Sequence, residues 1–358
     1  MTVIDLEKLQ EAAAFSVANE TSWDRANSDN WGIHSLDRPP WNRLLGPVHP
    51  RGPVSGVIRV AGKQVLQWGE PDRVDLTFSV AKTYLALLVG VAVEKGLLTN
   101  LDEPVGVKAP GIGFDDAHNS KVTWRHLLQQ TSEWQGDCFG IPDQVDRYRH
   151  LIYQPPRAIE DTGSKGDARL LRAPGTYWEY NDVRINQLAL ALLHVFGRPL
   201  PEVFKQYIAE PCGVSNTWRW EGYENSWVDI DGTSMQSVPG GTHWGGGVSI
   251  SSYDQALIGQ MLLSEGRVGN TQVLTKEWVV LIQTPCAIAP WYGTLVWLNR
   301  LRGVFPSASK NSYFCIGAGA SVVWIDPDPD LVAVVRWIAG DQIDGFCQRV
   351  ASAIKVKS

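Results

Sequence analysis

The chain has 358 residues, 44% of them apolar and 20% charged, enough for a large core in one big domain or two joined lobes. Its net charge of −6 comes with no basic stripe, which excludes a nucleic-acid partner. The five cysteines (138, 212, 286, 315, 347) are scattered and contain no Cys-x-x-Cys, so they read as reduced thiols rather than a disulfide or zinc framework.

Residues 1–50 hold a helical pattern and then a Pro- and Trp-rich stretch around Pro39-Pro40-Trp41. Met1 to Lys8 lacks the basic and apolar regions of a secretory signal, and the longest apolar run, 84–93, is too short to span a bilayer. No membrane association and a cytoplasmic location are therefore expected. Gly56–Val60 and Gln64–Trp68 read as two strands around Ala61-Gly62-Lys63, a hairpin signal. A long apolar helix follows from Ser79 and closes at Lys95-Gly96, a basic last turn and a C-cap glycine. Val122–Gln130 and Val183–Phe196 read as helices within a stretch of loops from 97 to 240. Beyond the glycines at 240–241 and 245–247 come a helix over Ser252–Leu263 and strands at Gly293–Leu298, Ser321–Ile325 and Leu331–Trp337. Asp326-Pro327-Asp328-Pro329-Asp330 forms a turn, and a last helix runs from about Ile343 to Ile354. The order predicts an α/β (α+β) fold, an antiparallel sheet flanked by helices and built from both chain ends. Residues 1–96 and 245–358 form one lobe, 97–244 an inserted and mostly helical lobe, with the active site at their interface. Most of the 16 tryptophans are assigned to the core and to packing between lobes.

Ser79-Val80-Ala81-Lys82 carries the functional signal. Residues three apart share a helix face. A serine is a useful nucleophile only when a neighbouring base takes its proton, and a partly desolvated lysine can be that base or part of its relay. Ser-x-x-Lys is a device of acyl-transfer enzymes. It occurs three times here, at Ser79/Lys82, Ser307/Lys310 and Ser352/Lys355. Only the first opens a buried helix, which brings the pair into the protein body beside a cleft.

Ser79-Val80-Ala81-Lys82 resembles the first motif of the serine β-lactamase and penicillin-binding-protein superfamily, nearest its class C β-lactamase-like esterases and amidases. Pro174-Gly175-Thr176-Tyr177-Trp178-Glu179-Tyr180-Asn181-Asp182 resembles that family's Pro-Gly segment with Tyr-x-Asn, whose tyrosine belongs to the proton relay. The likeness extends through Gly245–Ser251, Gln260–Gly266 and Asp326–Leu331, most of the chain from about residue 55. It implies a catalytic set of Ser79, Lys82 and Tyr180. It also implies an oxyanion hole from the backbone N–H groups of Ser79 and Ala318, donors worth about 3 kcal/mol each in the transition state. The third motif is Cys315-Ile316-Gly317 here, where the family carries a cation that holds a substrate carboxylate. Cysteine supplies no such charge, so a less acidic ester or amide is expected over β-lactams and peptidoglycan stems. Asp182 stands where the family has asparagine. It reads either as the N-cap of the Val183 helix or as a partner that keeps Lys82 charged, leaving Tyr180 to accept the Ser79 proton. Each residue has a plain structural alternative: Ser79 as an N-cap, Lys82 as a snorkelling lysine, Tyr180 as a half-buried aromatic. Their joint occurrence in order favours catalysis.

No serine has glycine at both −2 and +2, no His-Glu-x-x-His is present, and no Gly-x-Gly-x-x-Gly or P-loop occurs. The sequence therefore predicts a cofactor-free serine hydrolase with no metal, acting on a small ester or amide through an acyl-serine. A β-lactamase, a D-Ala-D-Ala peptidase, an acyltransferase and a non-catalytic binder are the alternatives. Oligomeric state is left open.

Overall fold

The computed structural model describes residues 2–35, 37–155 and 163–356. Ser55–Val60 (β1) and Lys63–Trp68 (β2) are joined through Ala61 and Gly62, both left-handed (φ 50° and 73°), the geometry of a tight hairpin that follows strand twist. Trp297–Leu298 (β3), Tyr313–Gly317 (β4), Ser321–Asp326 (β5) and Leu331–Arg336 (β6) complete an antiparallel sheet of order β3-β4-β5-β6-β1-β2. The strands of both chain ends meet where β6 pairs β1, with Ala333 opposite Ile58. Asp326–Asp330 is a hairpin turn, closed by the pair Asp326 and Leu331. Its first carboxylate accepts from the Ser309 and Ser312 hydroxyls.

Two expectations change. Of the strand expected over Gly293–Leu298 only β3 forms, because the Thr294 and Leu295 amides donate to Ile282 and Leu128 rather than to a sheet neighbour. β4 was not expected as a strand. Its five residues are all buried, so it carries no alternation to read.

Leu6–Ala18 (α1), Val80–Glu94 (α2), Ser252–Leu263 (α4) and Ile343–Ala353 (α5) flank the sheet, and Asp182–Phe196 (α3) packs on α2 away from it. α4 lies on β1, β5 and β6, and α2 beside it on β4 and β5. A Cβ on Gly259 of α4 would stand 2.8 Å from Val332 Cγ1, so glycine sets that spacing. α1 and α5 pack together against the other face, where the Trp68 indole donates to Ser16 and its ring meets Phe346. The termini are tied by pairing of Thr2–Ile4 with Ile354–Val356.

The segment 97–244 contains more than helix. Arg219–Glu221 pairs with Gly247–Ile250, which in turn pairs with Asp75–Leu76, and Trp227–Ile230 forms a hairpin with Thr233–Gln236. The helix expected over 122–130 is only Trp124–Leu128, capped by Thr123. No helix among the described residues is long and apolar enough to cross a membrane.

A buried ion cluster holds the loops in front of α3. Glu133 accepts from Arg169 (2.6 Å), from Arg184 of α3 (3.0 Å) and from the Arg172 amide (2.8 Å). Burial alone would raise its pKa, yet Arg169 and Arg184 hold it down at about 2. A depressed carboxyl stabilises the fold above its unfolded pKa, and that stability is lost as pH falls through the folded value. The wild type is therefore expected to lose about 3 kcal/mol from this group as pH drops from 4.5 to about 2. Glu133→Gln should be less stable at pH 7 and show a shallower decline over that window in urea titrations.

Candidate active site

The chain enters α2 through Asp75–Leu76 and Thr77, whose amide and hydroxyl both donate to Val248 O (2.8 and 3.0 Å). Phe78 is then left-handed (φ 51°), costly for a residue with a Cβ and typical of strained functional turns. Its ring is held by Trp23, Trp31 and Trp337 at centroid distances of 5.7, 6.0 and 6.2 Å. Ser79 occupies the N-cap position of α2 but makes no capping hydrogen bond with its side chain. Its hydroxyl instead accepts from Lys82 Nζ at 2.8 Å.

Lys82 is almost fully buried, donates to Ser79 Oγ and to Gly240 O at 3.4 Å, and forms an ion pair with Asp182 Oδ1 at 2.5 Å. Asn181, not Asp182, caps α3, accepting from the Arg184 amide at 3.1 Å. Asp182 is the first helical residue, where the helix dipole favours an anion and where its carboxylate reaches Lys82. A Cβ on Gly241 would lie 2.3 Å from Asp182 Cβ, so only glycine lets this loop bring the Gly240 carbonyl so near.

Tyr180 is buried two residues before Asp182. Lys82 Nζ stands 4.7 Å from its ring centroid and the Arg149 guanidinium carbon 5.3 Å. Trp297 stacks on it at 5.6 Å. Among the described residues no hydrogen bond joins the Tyr180 hydroxyl to Ser79; both residues line one cleft.

Behind the cleft the charges alternate. Asp182 accepts from Arg149 Nη1 at 2.8 Å, and the Asp182 amide donates to Asp146 at 2.7 Å. Lys165 joins Asp146 (3.2 Å) to Asp37, and His243 lies 3.2 Å from Asp37 and 3.6 Å from Asp182. Burial alone would penalise the Asp182 charge, yet Arg149, Lys82 and His243 hold its carboxyl well below the usual range. Asp146, Asp182 and His243 bring three ligand-type atoms together, but Lys82, Arg149 and Lys165 already face these carboxylates. Nothing in the sequence pointed to Arg149, Asp146, Lys165 or His243, which come from loops with no motif.

β4 supplies the other side. β3 pairs only with Tyr313 and Phe314, so β4 has an open edge from Cys315 to Gly317. A Cβ on Gly317 would lie 2.0 Å from Thr77 O and 3.1 Å from Ser79 N, so glycine brings this edge against the Ser79 backbone. Among the described residues neither the Ser79 nor the Ala318 amide donates to another protein group. Cys315 does not line the cleft. Strand alternation turns it from the cleft, burial pushes its thiol up to about 12, and Thr83 of α2 is its hydrogen-bonding neighbour.

The cleft has a volume of about 480 Å³. Ser79, Tyr180, Gly317 and Ala318 line it, as do Arg149, Lys165 and His243. Its apolar walls are Leu151, Ile152 and Tyr153 from the inserted segment, Trp297 from β3, and Trp23, Ile33 and Ile338 from the two chain ends. The remaining Ser-x-x-Lys serines serve structure: Ser307 binds Asp344 through amide and hydroxyl, and Ser352 bonds the Arg349 carbonyl within α5.

A sheet flanked by helices, with a Ser-x-x-Lys pair at a helix N-terminus facing an open strand edge, is the layout of the penicillin-recognising serine proteins. A family model described as Beta-lactamase matches residues 57–337, and the chain belongs to that family. Among solved structures it is similar to EstCE1, a hydrolase with promiscuous acyltransferase activity (16% identity, 97% of each chain, TM-score 0.60). It is also similar to a D-stereospecific amidohydrolase from Streptomyces sp. (18% identity, 95% of this chain and 98% of that one, TM-score 0.57). A penicillin-binding protein from Bacillus halodurans is a further neighbour (18% identity, 84% of this chain and 94% of that one, TM-score 0.56). No curated protein matches the chain.

Proposed function

We propose that the protein is a serine hydrolase of neutral, apolar esters. The observation that carries this reading is Lys82, held by hydrogen bonds to Ser79 and Gly240 and by the ion pair with Asp182, behind the apolar-walled cleft that Ser79 and Tyr180 line. Lys82 then acts as a fixed charge that orients Ser79. Tyr180, entering the step as a phenolate with Lys82 and Arg149 over its ring, takes the proton as Ser79 Oγ bonds to the carbonyl carbon, and its negative charge passes to the carbonyl oxygen. The carbonyl oxygen becomes an oxyanion held by the Ser79 and Ala318 amides. Tyr180 passes the proton to the leaving oxygen, the alcohol departs, and water releases the acid from the acyl-serine while Ser79 regains its proton.

The cations that line the cleft support a neutral substrate. Arg149 is paired with Asp182 and Asp146, and Lys165 with Asp37 and Asp146. The esterase reading also accords with EstCE1, a hydrolase with acyltransferase activity, and an alcohol replacing water would turn the same site to acyl transfer. An ester is favoured over an amide because an alkoxide asks less of the acid catalyst than an amine.

A fluorophosphonate probe should add one label to the wild type and none to Ser79→Ala, read by intact mass. Short-chain p-nitrophenyl esters should be hydrolysed and nitrocefin left intact. Equal labelling of Ser79→Ala would support a non-catalytic binder, and nitrocefin turnover a β-lactamase.

A further inference from the structure

We infer that Trp23 is a specificity-determining residue, the wall against which a flat, apolar group of the substrate lies; this rests on the esterase reading of the same cleft. Trp23 is carried by an N-terminal segment that precedes residues 57–337, the span that the family model matches. Four residues of that segment, Thr21, Trp23, Gly32 and Ile33, line the cleft together with Ser79 and Ala318.

Position supports the assignment. A Cβ on Gly319 would stand 3.1 Å from Trp23 Cζ3, so the indole touches the turn directly after Ala318. Trp23 and Ala318 also pack against one apolar cluster of Trp31, Ile33, Phe78 and Trp337. The ring is therefore beside both backbone segments that meet at the reacting carbonyl, through Phe78 on the Ser79 side and through Gly319 on the Ala318 side.

Rigidity supports it as well. The indole stacks on Trp31 at 5.6 Å with 13° between planes and meets the Phe78 edge at 5.7 Å. The Trp23 carbonyl accepts from the buried Arg51, which is itself paired with Glu20 at 2.6 Å. The Thr21 amide donates to Trp337 O at 2.8 Å. The half-buried ring keeps part of its surface for the cleft, and an indole held in one pose selects ligands by shape. Wall contacts of this kind discriminate by about 10- to 200-fold.

The test uses two substrate series on the full chain. One varies the acyl group (p-nitrophenyl acetate against phenylacetate), the other the leaving group (ethyl acetate against benzyl acetate). Trp23→Ala should lower the aromatic-over-small ratio of kcat/KM about tenfold or more in one series, and Trp23→Phe should restore most of it. Trp23→Leu, which keeps apolar bulk, is read the same way if the alanine variant does not fold. A ratio unchanged in both series overturns the inference. Binding of p-nitrophenyl phenylacetate to Ser79→Ala protein, measured by calorimetry with and without Trp23→Ala, separates the two readings. If no ester is hydrolysed but binding weakens on loss of Trp23, the wall stands and the esterase reading falls. Equal binding with and without Trp23 overturns the wall.

Discussion

Tyr180→Phe is expected to lower kcat by about 10²- to 10⁴-fold, the range for a positioned general acid–base, with a smaller change in KM. The variant keeps the ring that Trp297 stacks on and that faces Lys82, so packing is spared and only the proton carrier is lost. The contrast with Lys82 tests the division of labour. In the proposed mechanism Lys82, hydrogen-bonded to Ser79 and Gly240 and paired with Asp182, orients the serine and leaves its proton to Tyr180. If Tyr180→Phe kept near-full activity while Asp182→Asn moved the pH profile toward acid, Lys82 would be the base instead. Loss of the carboxylate charge favours a neutral lysine in a buried setting.

Asp182→Asn should cost about 3–5 kcal/mol of stability, read from urea midpoints at pH 7, because it strands buried cations. Asp182 is the shared partner of Lys82 at 2.5 Å and Arg149 at 2.8 Å, and all three side chains are largely out of water. Asparagine keeps one acceptor oxygen but no charge. Lys82→Met should be much milder for the fold, since Asp182 retains Arg149 and a similar volume is filled. It should nevertheless lower kcat by about 10³-fold or more, because Ser79 loses the donor that orients it and the charge beside the oxyanion. A Lys82→Met variant as unstable as Asp182→Asn would show that the pair is structural before it is catalytic.

Much of the scaffold was legible because it is written in local chemistry. The span of α4 follows from Ser251, which caps it by accepting from the Asp254 amide. The end of α3 follows from Gly197, left-handed at φ 56°. The β1–β2 hairpin follows from Ala61-Gly62 between two short runs that carry Val57, Ile58, Val60 and Val65, Leu66, Trp68. Ser79 and Lys82 are three residues apart on one helix, so their contact needs nothing beyond the helix itself. The reading failed where tertiary contacts replace local ones. β4 is covered on both faces and shows no alternation, and the segment before β3 spends its amides on other elements. Asp182 lost the cap role to its neighbour because a cap must stand before the first turn, and Asn181 does.

The sequence by itself determined the Ser79–Lys82 pair, the apolar helix that buries Lys82, and the order of motifs that brings in Tyr180. These depend on spacings of three residues and on contiguous runs, which survive without coordinates. Only the tertiary structure decided the company of Lys82. Asp182 and Gly240 reach it from far along the chain, and Arg149, Lys165 and His243 close the charge network from loops with no pattern. The same holds for the wall of the cleft. Trp23 lies 56 residues before Ser79 and meets the site only because Phe78, Trp31 and Trp337 gather around it. Side-chain identity sets what a residue can do; the long-range packing of apolar rings and paired charges sets which residues are close enough to do it.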